Sequence, residues 1–92
     1  MTDLRLSMRG RTLPLSRFFT GEYVEIVSLP RGILRSQFIR VGLNEGVKIH
    51  CFARLPGGTM IIRKNRQQIA IGHQLANMIL VLLLEQTGDD DV

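Results

Sequence analysis

Turn-forming residues interrupt this chain about every 8 to 12 residues, and this spacing keeps every strand or helix between them short. The interruptions are Thr20-Gly21, Pro30-Arg31-Gly32, Asn44-Glu45-Gly46 and Pro56-Gly57-Gly58. Short strands joined by tight reversals are typical of small barrels, in which the sheet curls until its edges are protected. The spacing therefore predicts an all-β fold, a small barrel of about five antiparallel strands with one short inserted helix.

The apolar pattern places the individual elements. We expect strands over 22–29, 47–54, 59–64, 67–72 and 78–84, with 67–72 also compatible with an extended turn, and one helical turn over 73–77. Residues 33–42 follow a 3.6-residue period, which predicts a helix that packs Leu34, Phe38 and Val41 inward. Gly42 is expected to end this helix in a left-handed conformation, so that Leu43 folds back onto the last turn.

The clearest strand is 47–54, where apolar and polar side chains alternate. Such alternation predicts one face toward the core and one toward solvent, because successive side chains on a strand point to opposite sides. The inward set is Val47, Ile49, Cys51 and Ala53, and the outward set is Lys48, His50, Phe52 and Arg54.

Length, cysteine content and hydropathy indicate a single cytoplasmic domain. The chain has 92 residues and one cysteine, which excludes an internal disulfide framework. The first twenty residues lack the apolar block of a secretory signal, and the longest apolar run, 78–84, is far below the roughly 20 residues of a membrane-spanning helix. We expect a flexible basic arm over 1–14, a barrel over 15–85 and an acidic disordered tail over 86–92.

The charge favours an acidic partner. The formal net charge is +4, but Asp89, Asp90 and Asp91 lie in the last four residues, so the remainder carries 12 basic and 5 acidic residues. A basic surface suits an acidic protein, RNA or the anionic face of a membrane. The basic residues are scattered and base-stacking aromatics are few, so we expect no nucleic-acid partner, although a basic nucleic-acid-binding barrel remains the alternative.

No set of residues predicts catalysis or a bound cofactor. His50 and Cys51 are adjacent on a strand and point to opposite faces, so they cannot chelate one metal ion together, and His73 has no ligand spacing around it. Cys51 faces the core, where burial blunts a thiol. Glu22 and Glu25 cannot face the same side of a strand. We therefore expect no catalytic, cofactor or metal site.

What remains is the exterior. Ile39 lies on the outer face of the predicted helix beside Arg35 and Arg40, and an apolar residue among guanidinium groups suits a docking surface for an acidic partner. Single exposed apolar residues are also ordinary on protein surfaces. Phe52, outward on its strand, is the second docking candidate, unless a neighbouring loop or the amino-terminal arm covers it.

Three blocks resemble the FeoA family of ferrous iron transport protein A: "LSRFFTGEYVEIVSL", "SQFIRVGLNEG" and "IAIGHQLANMILV". The family often has Pro where Glu45 stands and Arg where Gly72 stands. The resemblance implies an SH3-like barrel and a non-catalytic accessory protein of the permease FeoB, which carries a GTP-binding domain, so that the chain is peripheral to the membrane through its partner. The same barrel is the terminal domain of DtxR-type metal-dependent repressors, a second possible relationship. Self-association and the effect on the partner stay open.

Overall fold

The computed structural model describes residues 11–84. It contains six strands, a 3₁₀ turn and two short helices. In chain order these are β1 (Thr12–Pro14), the 3₁₀ turn (Leu15–Arg17), β2 (Tyr23–Ser28), α1 (Ile33–Arg40), β3 (Lys48–Arg54), β4 (Met60–Lys64), β5 (Gln67–Ile71), α2 (His73–Ala76) and β6 (Leu80–Leu83). The strands predicted from the turn spacing are therefore present, and residues 67–72 form a strand and not an extended turn.

The strands form one antiparallel sheet in the order β1-β6-β2-β3-β4-β5. β2 is central and pairs with β3 on one side and β6 on the other. The segments that follow the two edge strands meet where the Ser16 hydroxyl donates a hydrogen bond to the side-chain oxygen of Asn77. This arrangement confirms the predicted all-β class and agrees with a small SH3-like barrel.

The core is a single apolar cluster enclosed by the curled sheet. Its buried members are Leu15, Phe18, Val24, Ile26, Leu29, Phe38, Leu43, Ile49, Cys51, Met60, Ile62, Ile71, Ala76, Ile79 and Val81. Leu43 joins it as predicted, because Gly42 takes a φ of 93° and the Leu43 N–H donates to the Phe38 carbonyl at 2.9 Å. A left-handed glycine here reverses the chain without a steric penalty and directs α1 toward the interior.

The expected amino-terminal arm is wrong at its last three residues. Thr12–Pro14 pair with Leu80, Val81 and Leu82 of β6, and form an edge strand. An edge strand tolerates Pro14 because no ladder bond there needs its missing N–H. Three residues are too few to display a strand period, which is why the pattern did not reveal them. Residues 1–10 of the predicted arm and the predicted acidic tail lie outside the described residues.

The inward position of Val41 is also wrong. Helix α1 ends at Arg40, and Val41, as the C-terminal cap, has φ −91° and ψ 9° and a side chain 41% exposed. A helical wheel no longer applies once the backbone leaves the helix, and Leu43 fills the interior instead. Phe38 is buried and Leu34 packs partly buried against the core, as predicted.

A bulge in β3 shifts its pairing with β4 near the end of the strand. The register changes between Cys51 and Ala53, so Arg54 lies opposite the buried Met60, but Arg54 remains exposed as predicted. One guanidinium nitrogen of Arg54 donates to the carbonyl oxygens of Ser16 at 2.8 Å and Phe18 at 2.5 Å. Because a bulge inserts one unpaired residue, it shifts the pairing that follows, and Arg54 holds the 3₁₀ turn against the barrel.

Candidate functional site

The described interior is an apolar core, and the accessible polar and charged side chains lie on the exterior. The one cysteine, Cys51, lies in the core, and burial raises the pKa of its thiol to about 12. A thiol of that pKa is protonated near neutral pH and a poor nucleophile or metal ligand. Among residues 11–84, no three His, Cys, Asp or Glu side chains cluster closely enough to hold a metal ion.

The helix surface consists of Arg35, Ile39 and Arg40, all on α1. Ile39 is 43% exposed. Arg40 is in the last turn, where a cation is favoured by the helix dipole. It has no ion-pair partner within residues 11–84. This surface therefore combines one accessible apolar side chain with a cation that is unpaired within the described fold.

Arg35 differs from Arg40 because it is already engaged. Its guanidinium makes a two-pronged ion pair with Glu45 in the turn after α1, with Nη2 2.8 Å from Oε1 and Nη1 also bonded to Oε2. The pair lowers the pKa of Glu45 to about 2 and raises the pKa of Arg35. Two parallel bonds fix the orientation of both planar groups. Arg35 therefore holds the turn after α1 against the helix, and its positive charge is largely neutralised by Glu45.

Sequence reasoning missed four apolar side chains that are more exposed than Ile39: Ile33, Phe19, Met78 (48% exposed) and Leu55 (46% exposed). Ile33 is 77% exposed because it is the first residue of α1, after Gly32, before the helix reaches the barrel. Phe19 is 62% exposed in the segment between the 3₁₀ turn and β2. The available signal for their exposure was their position at or beyond the end of a helix or strand, because apolar periodicity predicts burial only for residues inside an element.

A second surface lies on the outer face of the sheet and is called here the aromatic patch: Tyr23, His50, Phe52 and Arg63. The rings of Tyr23 and His50 stack with centroids 4.4 Å apart, and Phe52 meets His50 edge-on at 6.4 Å. The guanidinium carbon of Arg63 lies 4.2 Å from the centre of the Phe52 ring, within cation–π range. Phe52 thus keeps 37% of its surface exposed without being covered by a loop of residues 11–84.

Strand register explains why these four side chains meet. Tyr23 pairs with His50 across β2 and β3, and His50 pairs with Arg63 across β3 and β4. Burial and the neighbouring Arg63 lower the pKa of His50, so its imidazole is mainly neutral near pH 7 and stacks as an aromatic ring. Phe52 does not lie on the helix surface. The end of β4 that is next to α1 is marked by Lys64, whose Nζ donates to the Gly42 carbonyl at 2.8 Å. Phe52 lies toward the opposite end of the sheet, near the end of β3.

The six-stranded sheet, the α1 insertion and the order of the elements can be compared with known proteins. The family model of the FeoA domain matches residues 13–83. This chain belongs to the FeoA domain family. The match begins one residue into β1 and ends at the last residue of β6, so it spans the described fold almost completely. The family is associated with ferrous iron transport.

Solved FeoA structures have the same fold. A crystal structure of an iron uptake regulatory protein, FeoA, is 29% identical, with a TM-score of 0.71 over 79% of this chain and 97% of the other. The NMR structure of a FeoA-like protein from Clostridium acetobutylicum has the same fold at 18% identity, with a TM-score of 0.72 over 86% of this chain and 94% of the other. The NMR structure of FeoA from Chlorobium tepidum also has this fold at 24% identity, with a TM-score of 0.72 over 85% of this chain and 74% of the other. A comparison with curated protein sequences found no match. Within residues 11–84, no helix has the length and hydropathy of a membrane span.

Proposed function

We propose that this FeoA domain is a non-catalytic accessory and regulatory protein of bacterial ferrous iron uptake, and that it docks on the cytosolic part of a FeoB-type permease. The observation that carries the proposal is the helix surface, where Ile39 is exposed beside Arg40, a cation with no ion-pair partner among residues 11–84. Family membership supports the transport process, and the crystal structure of the iron uptake regulatory protein supports a regulatory role.

The helix surface has the composition of an interface centre. Interface cores favour apolar anchors with Arg nearby, and complementary charge guides the approach of an acidic partner. Burying an exposed Ile side chain contributes about 1.5 to 3 kcal/mol, whereas a rim charge mainly changes the association rate. We therefore assign affinity to Ile39 and steering to Arg40, with the Arg35–Glu45 pair holding the helix end in place.

The proposal places the chain in the cytoplasm, peripheral to the membrane through its partner. Residues 11–84 contain ten Lys and Arg against three Glu, which suits an acidic face on the permease. The same charge is compatible with the nucleic-acid-binding alternative, but in the aromatic patch only Phe52 is exposed, while the rings of Tyr23 and His50 are half-buried and stack on each other. Phe52 is a second docking candidate, on a separate surface.

Co-purification from membranes tests the proposal. Tagged wild-type chain should recover a FeoB-type permease, and Ile39→Asp should lose it while melting at the wild-type temperature. Ile33→Asp is the matched control, because Ile33 makes the same apolar-to-acid change on the same helix about 120° away around the axis. Recovery of RNA alone, or equal recovery of permease by wild type and Ile39→Asp, would contradict the proposal.

A further inference from the structure

The chain leaves the described fold beside the aromatic patch. The Leu84 N–H donates to the Tyr23 carbonyl at 2.8 Å, so Leu84 continues β6 opposite Tyr23. Tyr23 pairs with His50, and His50 with Arg63. Leu84 therefore stands in the same cross-strand row as three members of the patch, and residues 85–92 start from the end of that row.

The aromatic patch contains Arg63 and, within the described fold, no acidic member. Arg63 rests on the Phe52 ring, and among residues 11–84 no Asp or Glu forms an ion pair with it. Of the three acidic residues in this range, Glu45 is bound by Arg35, Glu22 is buried, and Glu25 lies on the outer face opposite Lys48, two residues along β2 from Tyr23. The positive charge of the described fold is thus left largely unbalanced.

Residues 85–92 have the complementary charge. They contain Glu85, Asp89, Asp90 and Asp91 and no Lys or Arg. Half of all acidic residues of the chain are therefore concentrated in eight positions. The separation in sequence between a basic fold and an acidic segment is suited to a contact between the two.

We propose that the acidic segment 85–92 binds the aromatic patch of its own chain, with the carboxylates of 89–91 facing Arg63. The distance allows it: β6 and β4 are three strands apart, about 14 Å at about 4.8 Å per strand. Asp89 to Asp91 lie five to seven residues beyond Leu84, which span up to about 17 to 25 Å when extended. The inference does not rest on the proposed permease partner.

The contact would cover Phe52 and bring negative charge to Arg63. An acidic ligand for this face would then compete with the segment, and added salt would weaken the ion pairs that hold the segment. The helix surface lies elsewhere on the barrel and remains accessible. The segment would thus cover the aromatic patch and leave the helix surface exposed.

A spin label on the segment tests the contact in the full chain. Cys51 is buried, so a nitroxide reagent should modify only the new thiol of a Gly88→Cys variant. We expect the amide signals of His50, Phe52 and Arg63 to lose intensity, and those of α1 to keep it. Added salt should restore the lost intensity. No loss at these amides, or equal loss across the surface, would overturn the proposal.

Charge reversal identifies the partner groups. In the labelled chain, Arg63→Glu should restore the signals of His50 and Phe52, and combining it with Asp89→Lys, Asp90→Lys and Asp91→Lys should bring the loss back. Arg31→Glu is the control, since Arg31 is exposed beyond the opposite end of β2 and should change nothing. The Lys variant alone alters no residue of the described fold, so its effect is independent of folding. Persistence of the full loss in that variant would contradict the proposal.

Mixing separates contact within a chain from contact between chains. Isotope-labelled chain without a nitroxide is mixed with spin-labelled chain at natural isotopic abundance. The proposal expects no intensity loss in the isotope-labelled chain. Loss at His50 and Arg63 in this mixture would show that the segment binds a second copy, and would overturn the intramolecular assignment.

Discussion

Replacing Phe38 with Ala tests how α1 is attached to the barrel. Phe38 is the buried residue of α1, with 7% of its surface exposed, and it lies in the same apolar cluster as Leu43. Truncating a buried Phe to Ala typically costs about 3 to 5 kcal/mol. Because Phe38 sits at the margin of the core, where neighbours and water can partly fill the space, we expect the lower end, about 3 kcal/mol.

A loss of that size is a large part of the total stability of a small domain, about 5 to 15 kcal/mol. For a chain of this length it lowers the melting temperature by about 12 to 24 °C, at about 4 to 8 °C per kcal/mol. Urea unfolding followed by circular dichroism gives the free energy directly. Val41→Ala is the control on the adjoining, half-exposed position, with an expected loss of about 0.5 kcal/mol. Equal losses for the two variants, or a Phe38→Ala loss below about 1 kcal/mol, would refute the packing of α1 described here.

Three further predictions concern single positions. Gly42→Ala should destabilise by about 1 to 2 kcal/mol, because its φ of 93° is left-handed, whereas Gly72→Ala, at φ −61°, should be nearly neutral in the same urea assay. The pKa of Glu45 is lowered to about 2, so its ion pair with Arg35 stabilises the fold above the ordinary pKa of 4.5, and this stabilisation is lost as the pH falls from 4.5 toward 2. Over this range the melting temperature of wild type should fall toward that of Glu45→Gln. A difference between the two melting temperatures that does not change with pH would contradict the assignment. Cys51 should resist a maleimide at about pH 8 until urea unfolds the chain, and labelling of the folded chain at the rate of a free thiol would show that it is accessible.

The fold was largely predictable because its strands alternate and its turns carry glycine. The inward residues Ile49 and Cys51 followed from period two alone, and the Gly42–Leu43 reversal followed from backbone sterics. β1 was not predictable, since three residues carry no period. The bulge that places Arg54 opposite Met60 was also hidden, because it depends on how β3 registers with β4 and not on either strand alone.

The candidate surfaces were predictable as positions but not as contacts. Exposure of Ile39 followed from the helical wheel, and exposure of Phe52 from strand alternation. That Arg63 stacks on Phe52 requires the register of three strands, and that Arg35 binds Glu45 requires the geometry of the turn after α1. Pairs separated by ten or more residues leave no periodic signal in a single sequence.

The central claim is that the exterior of this barrel, through Ile39, binds a FeoB-type permease. The most direct measurement is a binding titration of the purified full chain against the purified permease, with Ile39→Asp and Ile33→Asp in parallel. We predict that Ile39→Asp weakens binding at least about tenfold, the equivalent of about 1.4 kcal/mol, while Ile33→Asp binds as wild type. Wild-type affinity for Ile39→Asp, or no binding of the wild-type chain at any salt concentration, would contradict the account.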